Sequence, residues 1–346
     1  MKKFVAILLV ALLALGLATG CGNSGSNNAT TGSDSNSSSG SDEVINIKIG
    51  HGIPEDTAMH QAWVKFKEIV EEKSGGKIKV AIYPNQQLGG DRELTEAVQM
   101  GNVTMTAPSS APLANFCKEF YVLDYPFLFE NRETVYRVLD GEAGTALLEA
   151  LSGTGIKGLA FWENGFRNIT SNKPIRTPDD LKGLKIRTME NELHIAAWQM
   201  LGANPTPLAF GELYTALQQK TVDAQENPFE LIYNNKFYEV QKYATKTRHI
   251  YSPYVIIMNE EFYNNLSPEY QKLITDAIKE CTGYQRQIAE ANEKRFEEAI
   301  KQKTEIIELS ESELSQFKEK VAPILDQVKA KAGEDIVNKF LAEVGK

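Results

Sequence analysis

Residues 44–84 read VINIKIGHGIPEDTAMHQAWVKFKEIVEEKSGGKIKVAIYP. Val44, Ile45, Ile47 and Ile49 form a short apolar run that leaves through Gly50 and Gly52, as a strand does. After Pro54, apolar side chains recur at Met59, Ala62, Trp63, Phe66, Ile69 and Val70, the spacing of one helix face. Asp56 or Thr57 can cap that helix, and KSGG stops it. The segment KIKVAIYP returns at once to a strand pattern, followed by the loop NQQLGG and a helix over about residues 91–100 that Gly101 closes. Strand, helix, strand, helix at this spacing predicts an α/β domain with a largely parallel sheet. Such sheets bind ligands at the carboxyl ends of their strands.

Working outward, the pattern restarts near Trp162, where IKGLAFWENGFRNIT carries a strand into a turn. TPDDLKG predicts a helical turn capped by Thr177, with Pro178 first and Asp180 three residues after the cap. In LKIRTM, Leu184 and Ile186 alternate with Lys185 and Arg187, and a helix through Leu193, Ala196, Ala197, Met200 and Leu201 ends at Gly202. ANPTPLAF and TVDAQENP then read as strands around the helix GELYTALQQK. From about residue 266 the chain is helical, charged and free of proline after Pro268. Its apolar positions drift instead of holding a heptad, which predicts a long helix crossing two lobes and not a coiled coil.

The chain begins differently. Lys2 and Lys3 precede an apolar run over residues 4–17, and the small residues Ala18, Thr19 and Gly20 lead to Cys21. Residues 1–20 read as a secretory signal peptide, too short and wrongly flanked for a bilayer span. LATGC resembles a bacterial lipobox, which implies cleavage before Cys21 and lipidation of its thiol, a stable membrane anchor. Residues 22–42 are Gly, Ser, Asn, Thr, Asp and one Ala, a composition that cannot bury enough apolar surface to order itself. They predict a flexible tether with a reach of roughly 25 Å.

Removing Lys2 and Lys3 takes the formal charge from −9 to −11, an acidic balance that argues against nucleic acid as a partner. Besides Cys21 there are only Cys117 and Cys281, whose pairing the sequence leaves open, and no metal or redox spacing is present. Histidines lie near carboxylates in ELHIAAW and GHGIPEDTAMH, but neither matches a nucleophile elbow, a zinc spacing or a phosphate loop, so no enzyme is expected. Arg187 raises a sharper question, because a guanidinium at the end of a buried strand needs an anion.

The motifs GLKIRTME, GANPTPLAFGELYTALQQKTVDAQENP, KFYEVQKY, WENGFRNIT, YPNQQLGGDRE and LDYPFLF together resemble the solute-binding subunits of tripartite ATP-independent periplasmic (TRAP) transporters, of the C4-dicarboxylate-binding (DctP) kind. The resemblance runs over essentially the whole mature chain. It implies a two-lobed α/β periplasmic-binding-protein fold with the ligand cleft between the lobes and a long helix spanning both. Lobe I would take residues 43–164 plus 253–292, and lobe II residues 165–252 plus 293–346. It further implies capture of a small organic acid and its delivery to a TRAP permease, with no cofactor and no bond-making, on the outer face of the cell membrane. Reporting to a sensory system for an organic acid is the alternative, and a purely structural lipoprotein would leave the cleft arginines without partners.

Within that resemblance, Arg187 of GLKIR is the arginine that pairs its planar fork with the ligand carboxylate. Arg167 of NGFR reaches toward the same anionic end, Asn227 of QENP hydrogen-bonds the carboxylate, and Phe210 of LAFGE covers the ligand. Ala224 replaces the commoner glycine of VDGQEN. Ser109 and Pro112, in APSSAPL, stand where sialic-acid-binding members place a Glu and an Arg, and Glu190 stands where they place an Asn. These departures favour a smaller or less polar acid. His51, Ser109, Ser110, Trp162, Glu163 and Glu190 are second-rank candidates for the far end of the ligand.

Overall fold

The computed structural model describes residues 44–346; the predicted leader, Cys21 and the tether lie outside the described residues. The strands in chain order are β1 (Ile45–Gly50), β2 (Ile78–Tyr83), β3 (Met105–Thr106), β4 (Ile156–Phe166), β5 (Asn168–Ser171), β6 (Lys185–Thr188), β7 (Asn204–Pro207), β8 (Ala224–Asn227), β9 (Tyr243–Thr245), β10 (Tyr251–Asn259) and β11 (Glu305–Ile307). They form two sheets, ordered β2-β1-β3-β10-β4 and β11-β9-β5-β8-β6-β7.

The first sheet keeps the predicted parallel core. β1 pairs parallel with β2 from Ile45↔Ile78 to Gly50↔Tyr83, and β3 joins parallel on its other side. The helix between β1 and β2, Ala58–Lys73, is capped by Thr57 and buries Met59, Ala62, Trp63, Phe66, Ile69 and Val70. β10 and β4 complete the sheet antiparallel. β4 is a first-sheet strand to Phe166, and β5 starts in the second sheet at Asn168, so Arg167 sits at the crossing. The returning chain crosses beside it, where Arg167 N donates to Ile250 O at 2.9 Å. Gly165, at φ 122°, takes a backbone conformation there that other L residues avoid.

The long helix, Pro268–Lys301, runs 34 residues, about 51 Å at 1.5 Å per residue. Ile274, Ala277, Ile278 and Cys281 bury in the core shared by Trp63, Phe66 and Trp162. Phe296 and Ile300 bury instead with Leu213, Phe229, Ile232 and Phe237 on the second-sheet side. The helix thus packs on both lobes, as its drifting apolar face predicts.

The C-terminal helices divide between the two sides. Phe317 and Val321 of the helix Glu311–Val321 join Leu181, Ile186 and Trp198 of the second core. The last two helices, Ile324–Ala332 and Glu334–Val344, turn back. They bury Ile324, Val328, Val337 and Phe340 against Phe120, Val135, Leu147 and Phe161, a core on the first-sheet side. The helices Arg132–Leu139 and Glu142–Glu149 expose an apolar face there that only a long-range partner can cover. Cys117 and Cys281 are both free and buried, in different cores. No helix among the described residues is long and apolar enough to cross a membrane.

Candidate functional site

The carboxyl ends of β1, β2 and β3 open toward the ends of β6 and β8 across a cavity of about 610 Å³, its mouth included. Gly52, Ile53, Gln86, Asp91, Ser109 and Pro112 line it from the first sheet's loops, and Arg167, Arg187, Leu208, Phe210 and Asn227 from the second sheet's side.

Arg187 is 2% exposed, near the end of β6. Its Nε and Nη2 both donate to Leu208 O, at 3.0 and 2.7 Å, which fixes the plane of the fork. Nη1 is buried with no hydrogen-bond partner. The guanidinium carbon lies 6.0 Å from the centre of the Phe210 ring, a cation–π distance. Burial, and then the neighbouring charge of Arg167, push the Arg187 guanidinium down to about 10, still protonated at neutral pH.

Arg167 is held differently. Its Nε donates to Glu226 Oε2 at 2.5 Å, and its Nη2 to Glu226 Oε1 at 2.9 Å, to Glu226 O at 2.5 Å and to Asn227 Oδ1 at 3.0 Å. Glu226 Oε2 also lies 3.1 Å from His249 Nε2. Burial opposes charge on Glu226, but Arg167 and His249 outweigh it and hold the carboxyl well below the usual carboxylate range. Asn227 Nδ2 donates to Gln225 Oε1 at 2.5 Å, so its amide is oriented by β8 itself.

The facing wall is acceptor-rich. Asp91 opens the helix Asp91–Gln99 and its Oδ2 accepts from Ser109 N at 2.9 Å. Burial raises the Asp91 carboxyl above its ordinary value, with the hydrogen bonds from Ser109 opposing. Tyr254, bridged to Ser109 across the sheet, is buried and its hydroxyl has no partner.

Six sequence-predicted site residues meet at this cavity: Arg187, Arg167, Asn227, Phe210, Glu190 and Ser109. Four do not line it. His51 Nε2 lies 3.0 Å from His60 Nδ1, where burial and then the charge of His60 push its ring down to about 3. Trp162 packs on Trp63 with ring centres 4.7 Å apart and donates Nε1 to Thr282 Oγ1 at 3.0 Å, behind the first sheet. Glu163 is enclosed by Arg132 at 2.8 Å, by the Tyr136 hydroxyl at 2.8 Å and by the Tyr251 hydroxyl. Ser110 starts the buried turn Ser110–Leu113 beside the cavity. In each case neighbourhood in sequence brought the residue close, and the packed face to which its side chain belongs took it away. Sequence reading missed Asp91, Gln86, Tyr254 and the carbonyl of Leu208, although YPNQQLGGDRE contains the first two.

The model of bacterial extracellular solute-binding protein family 7 (DctP) matches residues 49–332. The chain belongs to that family. It is 37% identical over 303 residues to the C4-dicarboxylate-binding protein DctB of Bacillus subtilis, covering 87% of this chain and 86% of that one. The sugar acid binding protein DctPAm of Advenella mimigardefordensis, solved with galactonate, superposes with TM-score 0.85 at 38% identity, over 88% of this chain and 98% of that one. A TRAP periplasmic solute binding protein of Sulfurospirillum deleyianum, solved with succinate, superposes with TM-score 0.82 at 33% identity, over 86% and 98%. The fold is therefore the two-lobed one of TRAP solute-binding proteins, with the long helix Pro268–Lys301. The family is a solute-binding component of transporters and not an enzyme family.

Proposed function

We propose that this solute-binding protein captures a small organic acid in the cavity between its two sheets and delivers it to the membrane subunits of a TRAP transporter. The observation that carries this reading is Nη1 of Arg187, buried at the cavity without a partner while the rest of the fork is fixed on Leu208 O. A ligand carboxylate supplies the missing acceptor. Each such charge-assisted bond is worth about 1.5–3 kcal/mol net, a large share of the roughly 8 kcal/mol behind a micromolar affinity. Phe210 covers the bound carboxylate's neighbour, and Arg167 with Asn227 frames the anionic end. Ligand contacts made only when the lobes are closed would favour closure, and the permease would read the closed surface.

Thermal-shift screening over mono- and dicarboxylates, hydroxy acids, keto acids and sugar acids tests the reading. A ligand at 100 times its Kd adds about 2.7 kcal/mol of stability. No shift with any acid would sink it. Lipidation of Cys21 is part of the same proposal, supported by the LATGC motif. Replacing Cys21 by Ser should move the protein from the membrane fraction to the soluble one. Uptake of the bound acid that depends on this protein and on a permease would separate transport from reporting to a sensor.

A further inference from the structure

Three arginines and three carboxylates line the cavity, and they are not evenly matched. Arg92 is engaged with Glu96, Nε to Oε1 at 3.1 Å, on a largely exposed side chain. Arg167 is engaged with Glu226. Arg187 alone of the three lacks a carboxylate at hydrogen-bonding distance, so the cavity holds one strong place for an anion. The lining carboxylates are Asp91, Glu93 and Glu190. Glu93 Oε2 accepts from Gly90 N at 3.0 Å and caps its own helix, whereas Asp91 is half-buried at the cavity, meets Ser109 and forms no ion pair, with Arg187 near enough for its charge to act on it.

A second carboxylate on the ligand would therefore face Asp91 in a site with little water to screen the repulsion. A hydroxyl group would not. It can donate to a carboxyl oxygen of Asp91, and it can accept from the Tyr254 hydroxyl, which is buried without a partner. Asp91, Ser109 and Tyr254 form one contiguous patch, since Ser109 N donates to Asp91 and Ser109 bridges to Tyr254. A buried hydroxyl with no partner is costly, and a ligand that satisfies it regains that cost.

Resting on the carboxylate-binding reading above, we infer that the ligand is a hydroxylated monocarboxylate, gripped at its carboxylate by Arg187 and read along its hydroxyls by Asp91 and Tyr254. The site then selects against dicarboxylates by charge and against plain fatty acids by unmet hydrogen bonds. This replaces the expectation of a less polar acid: the Glu and Arg of sialic-acid-binding members are absent, but the wall behind Ser109 is polar.

Isothermal titration of the purified protein at pH 7.5 with three four-carbon acids, erythronate, succinate and butyrate, and with the six-carbon gluconate, tests the inference. The better of the two hydroxylated acids should bind at least about tenfold tighter than succinate and butyrate, the discrimination expected of a site that hydrogen-bonds hydroxyls. Asp91→Asn should narrow the gap from both sides, weakening the hydroxylated acid and strengthening succinate, because the amide removes the repulsive charge while keeping the size. Tyr254→Phe should weaken the hydroxylated acid and leave succinate unchanged. Succinate binding as tightly as the hydroxylated acids, or an Asp91→Asn variant with unaltered selectivity, would overturn the inference while leaving carboxylate binding intact. If none of the four acids binds, the inference and the reading beneath it fall together. Arg187→Lys weakening all acids alike would show that the reading holds independently of the selectivity.

Discussion

The two walls of the cavity are built on different plans. The second-sheet wall places its polar groups on or beside strands and fixes each by hydrogen bonds: Arg187 on Leu208 O, Arg167 on Glu226, and Asn227 on Gln225 within β8. The first-sheet wall is made at the ends of β1, β2 and β3, with Gln86 and Ser109 presented from loops and Asp91 from the start of a helix. Strand-borne groups cannot move without breaking ladder hydrogen bonds, whereas loops tolerate substitution. Under the proposed function, the strand side supplies the general grip on carboxylates and the loop side the choice of acid.

The largest expected effect comes from breaking the frame of the cationic wall. Glu226→Gln leaves Arg167 as an uncompensated buried charge, and a loss of about 3–5 kcal/mol in denaturant unfolding is expected. An unchanged midpoint would mean that the pair does not frame this wall. Arg187→Lys attacks the grip itself. An ammonium cannot reproduce the planar fork, so affinity for any bound acid should fall about 100-fold while the ligand-free fold stays intact. Calorimetry beside circular dichroism reads both, and retained affinity would place the anchor elsewhere.

A third prediction concerns a contact between elements of the two sheets. Glu230, three residues after Asn227, accepts through Oε1 from Ala58 N, at the start of the helix on the first sheet, at 3.0 Å and from Asn292 Nδ2 at 2.8 Å. Burial raises its carboxyl to about 7, helped by the charges of Asp56 and Glu163 and opposed by those two hydrogen bonds. The folded state thus holds this proton more tightly than the unfolded one. The associated stability is full below the ordinary value of 4.5 and is lost as pH rises through about 7. Glu230→Gln should flatten the melting temperature against pH over that window and stabilise the protein by about 3 kcal/mol at pH 8, the order that the linkage relation gives for a shift of this size. An equal pH slope in both proteins would show that Glu230 does not titrate there.

The smallest effect lies where the walls meet. A Cβ added at Gly211 would stand 2.4 Å from Gln86 Oε1, the end of a flexible side chain that can shift. Gly211→Ala should weaken binding only about threefold, under 1 kcal/mol, by displacing that amide. Gln86→Ala in the same background should restore affinity, and no recovery would place the cause in Gly211 itself.

Much of the second-sheet wall was legible in the chain. Arg187, Arg167, Asn227 and Phe210 sit in ordered motifs, and their strands carry them to one place. The first-sheet wall was less so. Ser109 reaches the cavity, as Glu190 does from the other side, but His51, Trp162 and Glu163 were drawn by packing into His60, Trp63 and Arg132. Asp91 was passed over because a carboxylate at a helix start reads as a cap, and Tyr254 because an aromatic on a strand reads as core. The last two helices show the same limit, since an amphipathic face says that a partner exists and not which one.

By itself the sequence determined the α/β class, the strand–helix units and the long helix, because these follow from local periodicity and capping. It also placed an arginine in the DctP-like motif GLKIR, at the end of a strand. Tertiary structure alone decided that Arg167 is satisfied by Glu226 while Arg187 is not, that Asp91 faces the cavity without an ion pair, and that the chain's end returns to the first core. Those outcomes depend on burial and on partners dozens of residues away, and pairing at that range is set by how the two sheets and their helices pack.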